Sequence, residues 1–419
     1  VFFFATLDSK GREAAYVRDL LVSWGIPVTL VDVSAIGPTS VDADVPRTRV
    51  YERAGTSLES IQRRADRGEA VTKAADGAAE IAREAYARGE LAGVLSIGGS
   101  AGTTIGTSAM RALPLGVPKV MLSTLASGMV RQYVRDKDIV MLNSVVDILG
   151  LNRVSREVLS QAARVTAGLV RFPGPARDSG DEPGQPAKPL VAATMFGVTT
   201  KCVERARETL ERAGCEVLVF HATGNGGQAM ESLIGEGLIA GVLDITTTEL
   251  ADEYVGGFLT AGPDRLEAAG KAGIPQVVST GALDMVNFYA PESVPAKFTH
   301  RTFYRHNPNV TLMRTSPEEC AAIGAVIARK LSAASGSVSV LLPGRGVSAI
   351  DKEGQPFDDP AARRALHDAI RSGLRGVEAV ELDLHINDEA FADAAAEKLL
   401  ELMKQDRQRQ PWTKNISAT

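Results

Sequence analysis

Cysteine is scarce: this chain of 419 residues has three, Cys202, Cys215 and Cys320. None stands in a CxxC pair, so neither a disulfide framework nor a zinc knuckle organises the fold, and a reducing cytoplasm fits. Charge of one sign is not in excess either. The net charge is −5, and nothing in that total points to nucleic acid or to an anionic membrane. The apolar start, Val1-Phe2-Phe3-Phe4, meets polar Thr6 and Asp8 at once. It is too short for a signal peptide or a membrane span and reads as a buried strand. The histidines show no HxH or HExxH spacing, which leaves metal binding by His221, His306 and His385 weakly supported. What is present is ordinary for a globular protein: 44% hydrophobic and 23% charged residues, in a length suited to two or three domains.

The most informative positive feature is an internal echo. Residues 91–97 read LAGVLSI and residues 239–245 read IAGVLDI; GVPKV at 116–120 returns as GIPQV at 273–277, and both runs continue to a Ser-Thr pair. Ala5-Thr6 and Ala193-Thr194 open the two halves. Such self-similarity predicts a tandem pseudo-repeat of α/β units with mostly parallel sheets, which place ligand sites at strand ends and in clefts.

The first half alternates strand and helix signals: strands over 1–6, 28–33, 91–97 and 119–122, and helices over 12–23, 65–88 and 154–170, with a long polar loop over 34–49. Residues 171–189 hold five prolines and three glycines and read as a linker. The pattern then restarts, with strands over 190–194, 216–220, 241–245, 276–279, 311–313 and 338–341. Helices are expected over 202–213, 318–331, 359–372 and 389–404, and a short one around Asp284 and Asn287. Residues 405–419 read as a polar, basic tail. The domains are therefore expected at 1–170 and 190–404.

The strongest local signal is the run Gly98-Gly99-Ser100-Ala101-Gly102-Thr103-Thr104, a Gly-rich turn after a buried strand and before a helix. Its glycines let backbone amides approach a phosphate, the hydroxyls of Ser100, Thr103 and Thr104 add donors, and the helix N-terminus adds positive potential. It lacks the lysine of a P-loop and the spacing of GxGxxG; a tight turn without ligand is the alternative. Thr6, Asp8 and Lys10 follow the first strand: Lys10 suits a phosphate and Asp8 a metal or a ribose, while Asp8 or Ser9 equally suits a helix cap. Ser123, Thr124 and Gly128 follow another strand and could form the opposite wall. In the second half, His221, Thr223, Gly224, Gly226 and Gly227 again form a Gly-rich polar turn, with His221 a general base, a metal ligand or a structural residue. Thr246, Thr247, Thr248 and Glu249, beside Asp244, could bind an anion or a hydroxy-acid, or merely cap a helix. Asp284 is a further polar candidate.

Together these motifs are far more specific than any one loop. The runs at 98–103, 112–119 and 123–128, then at 195–200, 220–227, 261–269, 281–288 and 385–388, resemble the plant tobamovirus-resistance protein family and its bacterial relatives over nearly the whole chain. Ala101 and Asn225 stand where that family pattern has Gly and Thr, and Ala101 would disfavour a positive φ. The resemblance implies two Rossmann-like domains, ATP in the first with Gly98–Thr104 as phosphate cradle, and a homodimer. Mg²⁺ would accompany the nucleotide, with Asp8 as its ligand. The plant family joins this region to a C-terminal barrel domain, so a separate barrel-domain partner is expected here. If the protein is an enzyme, phosphoryl transfer or ligation on a small anionic metabolite follows, with His221, Asp244, Glu249 and Asp284 as acid/base candidates and Thr223, Gly224, Gly226, Gly227 and Thr246–Thr248 at the substrate. The alternative is a non-catalytic, ATP-dependent regulatory module.

Overall fold

A computed structural model of the protein describes residues 1–39, 41–128, 130–174 and 187–409. The chain forms two compact units, one on either side of the segment 175–186. Most of the expected linker and the tail from 410 onward lie outside the described residues. Both units are α/β with parallel main sheets.

In the N-terminal unit, the strands Phe2–Ala5 (β1), Thr29–Asp32 (β2), Val94–Gly98 (β3), Lys119–Ser123 (β4) and Val140–Asn143 (β5) make one parallel sheet in the order β2-β1-β3-β4-β5. Side chains alternate across β1. Phe2 and Phe4 pack on one face with the helices Arg67–Ala87 and Ser100–Arg111. Val1, Phe3 and Ala5 pack on the other with the helices Leu7–Ser23 and Arg153–Arg171. Phe3 and Phe4 are fully buried, each worth about 1.5–3 kcal/mol. The helix Arg67–Ala87 is Ala-rich because it runs against its neighbours at close quarters: a Cβ on Gly77 would lie 1.9 Å from the Val50 carbonyl oxygen.

In the C-terminal unit, Leu190–Met195 (β6), Glu216–His221 (β7), Gly241–Thr246 (β8) and Gln276–Gly281 (β9) are followed by Met285–Phe288 (β10), Phe303–Asn307 (β11) and Val310–Arg314 (β12), then by Val338–Pro343 (β13) and Glu378–Leu382 (β14). The main sheet is parallel, in the order β7-β6-β8-β9-β13-β14. Counted within each unit, both sheets share the order 2-1-3-4-5, and the C-terminal one adds a sixth strand. The echoing runs fall at matching places: LAGVLSI leads into β3 and IAGVLDI into β8, while the two Gly-x-Pro runs lead into β4 and β9. The tandem repeat is thus a repeat of topology.

Several expected elements differ. The stretch 34–49 is not all loop: the short helices Arg47–Arg53 and Leu58–Arg64 follow β2. Asp284 and Asn287 are not helical. Asp284 lies in a turn and Asn287 on β10, part of an antiparallel sheet β10-β12-β11 inserted after β9. The last helix runs on to Arg409, past the expected start of the tail. Among the described residues no helix is long and apolar enough to cross a membrane.

Candidate functional site

The strand order fixes where a ligand could enter the N-terminal unit. β1 lies between β2 and β3, so the chain leaves its carboxyl end in one direction and β3 in the other, and a crevice opens between the two exits. A cavity of about 560 Å³ occupies that place, lined by segments that follow β1, β2 and β3 together with Tyr51, Arg67 and Asp147, within the range of small-molecule sites.

The Gly-rich run builds its floor. The helix begins at Ser100, directly after Gly99. Three glycines exist for close packing of that helix on β3. A Cβ on Gly98 would lie 2.8 Å from Gly102 Cα, one on Gly102 would lie 3.1 Å from the Ile97 carbonyl oxygen, and one on Gly106 would lie 2.2 Å from Ser96 Oγ. Gly99 is different, because its nearest contact would be Thr124 Oγ1 at 3.7 Å. The first helical bond runs from Thr103 N–H to the Gly99 carbonyl at 2.8 Å. The amides of Ser100, Ala101 and Gly102 precede it and form the positive end of the helix. Ala101 is helical and is not among the residues of positive φ, so alanine fits there.

The expected residues separate into two groups. Thr6, Asp8, Lys10, Gly99, Ser100 and Gly102 line the cavity. Thr103, Thr104, Ser123, Thr124 and Gly128 do not; several tie the turns together. Thr103 Oγ1 and Ser123 Oγ share a buried hydrogen bond of 2.6 Å, Thr104 Oγ1 donates to the Ser100 carbonyl at 2.9 Å, and Thr124 N–H donates to the Gly98 carbonyl at 3.2 Å. Lys10 breaks the helical conformation of its own helix (φ −126°, ψ 15°). Its ammonium lies 3.9 Å from the Asp147 carboxylate. Asp8 accepts a long bond of 3.5 Å from Gly37 N–H. Tyr51 donates to the Ala70 carbonyl at 3.3 Å, and burial, aided by the Asp32 carboxylate, pushes its hydroxyl up to about 12.

The same run spells Gly98-x-Ser100-x-Gly102, the pattern of a nucleophile elbow, a signal that the phosphate reading of the turn passes over. The geometry speaks against that role. Ser100 stands in helical backbone and is not among the residues of positive φ. All five histidines of the chain follow residue 220, so none belongs to the N-terminal unit.

In the C-terminal unit the second Gly-rich turn does hold an anion, and the anion is the protein's own. Gly224 and Gly227 N–H both donate to Glu249 Oε1, at 2.7 and 3.1 Å. A Cβ on Gly227 would lie 2.2 Å from Glu249 Oε2. Arg265, which sequence reasoning did not single out, is the centre of this cluster. Its Nε donates to Glu249 Oε2 at 2.7 Å, and its Nη2 donates to Asp244 Oδ1 at 2.7 Å. Burial alone would lower the pKa of Arg265, but Asp244 and then Glu249 outweigh it and hold the guanidinium well above its ordinary value. Burial raises the Glu249 carboxyl against the pull of Arg265. Thr246 and Thr247 are buried, with Oγ1 donating to the carbonyls of Thr194 and Ser279, and buried Thr248 accepts from Asn287 Nδ2. Gly226 packs on His221: a Cβ there would lie 1.9 Å from the His221 carbonyl oxygen. His221 itself is exposed at the sheet edge and stacks on Phe196, with ring centroids 5.5 Å apart, and Thr223 Oγ1 donates to its carbonyl at 3.3 Å.

Asp284 lies apart from these. It is buried, its Oδ2 accepts from Ser348 Oγ at 2.7 Å, and its Oδ1 meets no partner. Burial, then the neighbouring Asp351 carboxylate, raises it to about 7. The four acid/base candidates are thus not brought to one place: Asp244 and Glu249 share Arg265, while His221 and Asp284 stand elsewhere. Among the described residues no group of three or more His, Cys, Asp or Glu could hold a metal ion.

Two family models cover the chain. Residues 1–174 match the N-terminal domain of Uncharacterised protein family (UPF0261), and residues 188–403 match its C-terminal domain. The chain belongs to the UPF0261 family. A UPF0261 protein of Clostridium tetani is 47% identical over 96% of the chain and 99% of its own length. The ToMV resistance protein Tm-1(GCR237) of Solanum lycopersicum is 42% identical over 97% of the chain, which spans 56% of that plant protein. The expected resemblance to the tobamovirus-resistance proteins therefore holds within UPF0261. Among solved structures, the glycosyltransferase SnogD from Streptomyces nogalater aligns over 96% of this chain and 98% of its own, at 12% identity and a TM-score of 0.17, a likeness too low to bear on either unit.

Proposed function

We propose that this UPF0261 protein binds ATP, with Mg²⁺, in the crevice of its N-terminal unit. One observation carries the reading: the first turn of the helix at Ser100 lines an open cavity together with Lys10, whereas the Gly-rich turn of the C-terminal unit is filled by Glu249. The amides of Ser100, Ala101 and Gly102 take the phosphates, and Lys10 adds positive charge. Apolar Val33, Ile36, Val71 and Ile105 line the same cavity and suit a base. Mg²⁺ needs few protein ligands because it keeps waters and phosphate oxygens, so Asp8 suffices as its carboxylate.

The binding role is favoured over a catalytic one by the C-terminal unit. Asp244, Glu249 and Thr246–Thr248 already have internal partners, so these expected substrate and acid/base groups are engaged in holding the fold, and the two acid/base candidates that remain, His221 and Asp284, stand apart from them. A cytoplasmic, homodimeric regulator with a separate barrel-domain partner accords with this reading. An enzyme acting on a small anionic metabolite would need groups other than these.

Calorimetric titration with ATP and Mg²⁺ tests the reading on wild type, Gly99→Ala and Gly99→Asp. Gly99 is the residue before the helix, where Asp is a favoured cap, so Gly99→Asp folds while placing a carboxylate on the phosphate amides. Binding by wild type and Gly99→Ala with loss in Gly99→Asp is expected. Absence of wild-type binding removes the ATP reading.

A further inference from the structure

Resting on the nucleotide reading above, we propose that Asp147 makes binding in the N-terminal crevice depend on a divalent cation, by holding Lys10 when no cation accompanies the phosphates. β5 is the outermost strand, separated from β1 by β3 and β4, yet the segment that follows it crosses back to line the same cavity as Thr6–Lys10.

That segment is pinned at both ends. Ser144 N–H donates to the Ser123 carbonyl at 3.2 Å, Ile148 is buried in the core, and Gly150 N–H donates to Glu13. Between the pins, Val145 has φ +62°, an outlier for a β-branched residue. Its N–H donates to Asn143 Oδ1 at 3.2 Å, and Ser144 Oγ donates to the Val146 carbonyl at 2.6 Å. Asp147 is therefore presented by a braced backbone.

Lys10 is 13% exposed and Asp147 70%, at 3.9 Å from each other. This is a loose ion pair that a ligand can displace. Around the cavity, Lys10 and Arg67 are balanced by Asp8 and Asp147. Free ATP must take Lys10 from Asp147 and then face two carboxylates. ATP carrying Mg²⁺ brings the cation that those carboxylates can face, so the same acids that disfavour the free form favour the complex.

The test is titration with ATP in excess Mg²⁺ and in EDTA, on wild type, Asp147→Asn and Asp147→Lys. Asp147 is exposed, so both variants retain the fold. Wild type binds the Mg²⁺ form more tightly. Asp147→Asn tightens binding of free ATP by about two- to fivefold, the range of an exposed ion pair, and narrows the preference; Asp147→Lys narrows it further. If wild type binds but the ratio of the two affinities is the same in all three proteins, the role of Asp147 is overturned while the nucleotide site stands. If none of the three binds either form, the nucleotide site itself is wrong and this inference falls with it.

Discussion

Asp284 offers the sharpest measurement on the C-terminal unit. Its carboxyl is buried, accepts one hydrogen bond from Ser348, and is raised from 3.8 to about 7 by burial and then by Asp351. In the unfolded chain the same group titrates near its ordinary value. The folded protein thus holds this proton more tightly than the unfolded one. Its contribution to stability is fully present below about pH 4, declines as pH rises, and is gone above about pH 7. At about 1.4 kcal/mol per pH unit, the difference between 3.8 and 7 amounts to about 4 kcal/mol. Asp284→Asn has the same shape and no charge at any pH, so it removes this dependence. Urea unfolding of both proteins at pH 5 and pH 8.5, followed on the transition of the C-terminal unit, reads the effect of Asp284 together with its neighbour Asp351, because groups remote from this pair cancel in the comparison. The variant should gain on wild type by about 3 kcal/mol between the two pH values, the part of the change that lies above pH 5. An equal difference at both would mean that Asp284 is ionised in the folded protein at pH 5, and the argument from burial would be wrong.

Other perturbations address the two Gly-rich turns. Arg265→Met leaves Asp244 and Glu249 buried without their cation, and should destabilise the C-terminal unit by about 3–5 kcal/mol in the same urea experiment. Gly227→Ala puts a methyl against the Glu249 carboxylate and should lower the melting temperature of that unit, whereas Gly99→Ala, with its nearest contact at 3.7 Å, should leave the N-terminal unit unchanged. Reversal of that order would show that the two turns have been misread. His221→Ala, at an exposed stacking contact, should change stability by less than about 1 kcal/mol.

The buried strands were legible in the sequence because each is an apolar run between polar turns, as in β1, β3 and β8, and the echo between halves marked equivalent strands. Elements whose order comes from their neighbours were not. β5 is only four residues long, exposed at both ends and half-buried between them, so it is not the buried core strand that an apolar run between polar turns marks. The helices Arg47–Arg53 and Leu58–Arg64 are too short for a periodic signal. β10 was hidden because Asp284 and Asn287, polar in the sequence, are buried in the fold. At the sites, the sequence shows where glycines gather but not what they approach. Gly98 and Gly227 look alike in a string of letters. One makes room for a helix backbone and the other for a carboxylate whose partner, Arg265, arrives from a different loop. No local pattern announces a guanidinium that far from its anions.

Glu249 has a thermodynamic consequence for the pair of units. An anion that diffuses in stabilises its host only in proportion to its supply, by an amount that grows with the logarithm of its concentration. A carboxylate joined to the chain by peptide bonds cannot be diluted or withdrawn. The C-terminal unit therefore keeps the anion of its Gly-rich turn whatever the solution contains, while the Gly-rich turn of the N-terminal unit, built on the same plan, faces an open cavity.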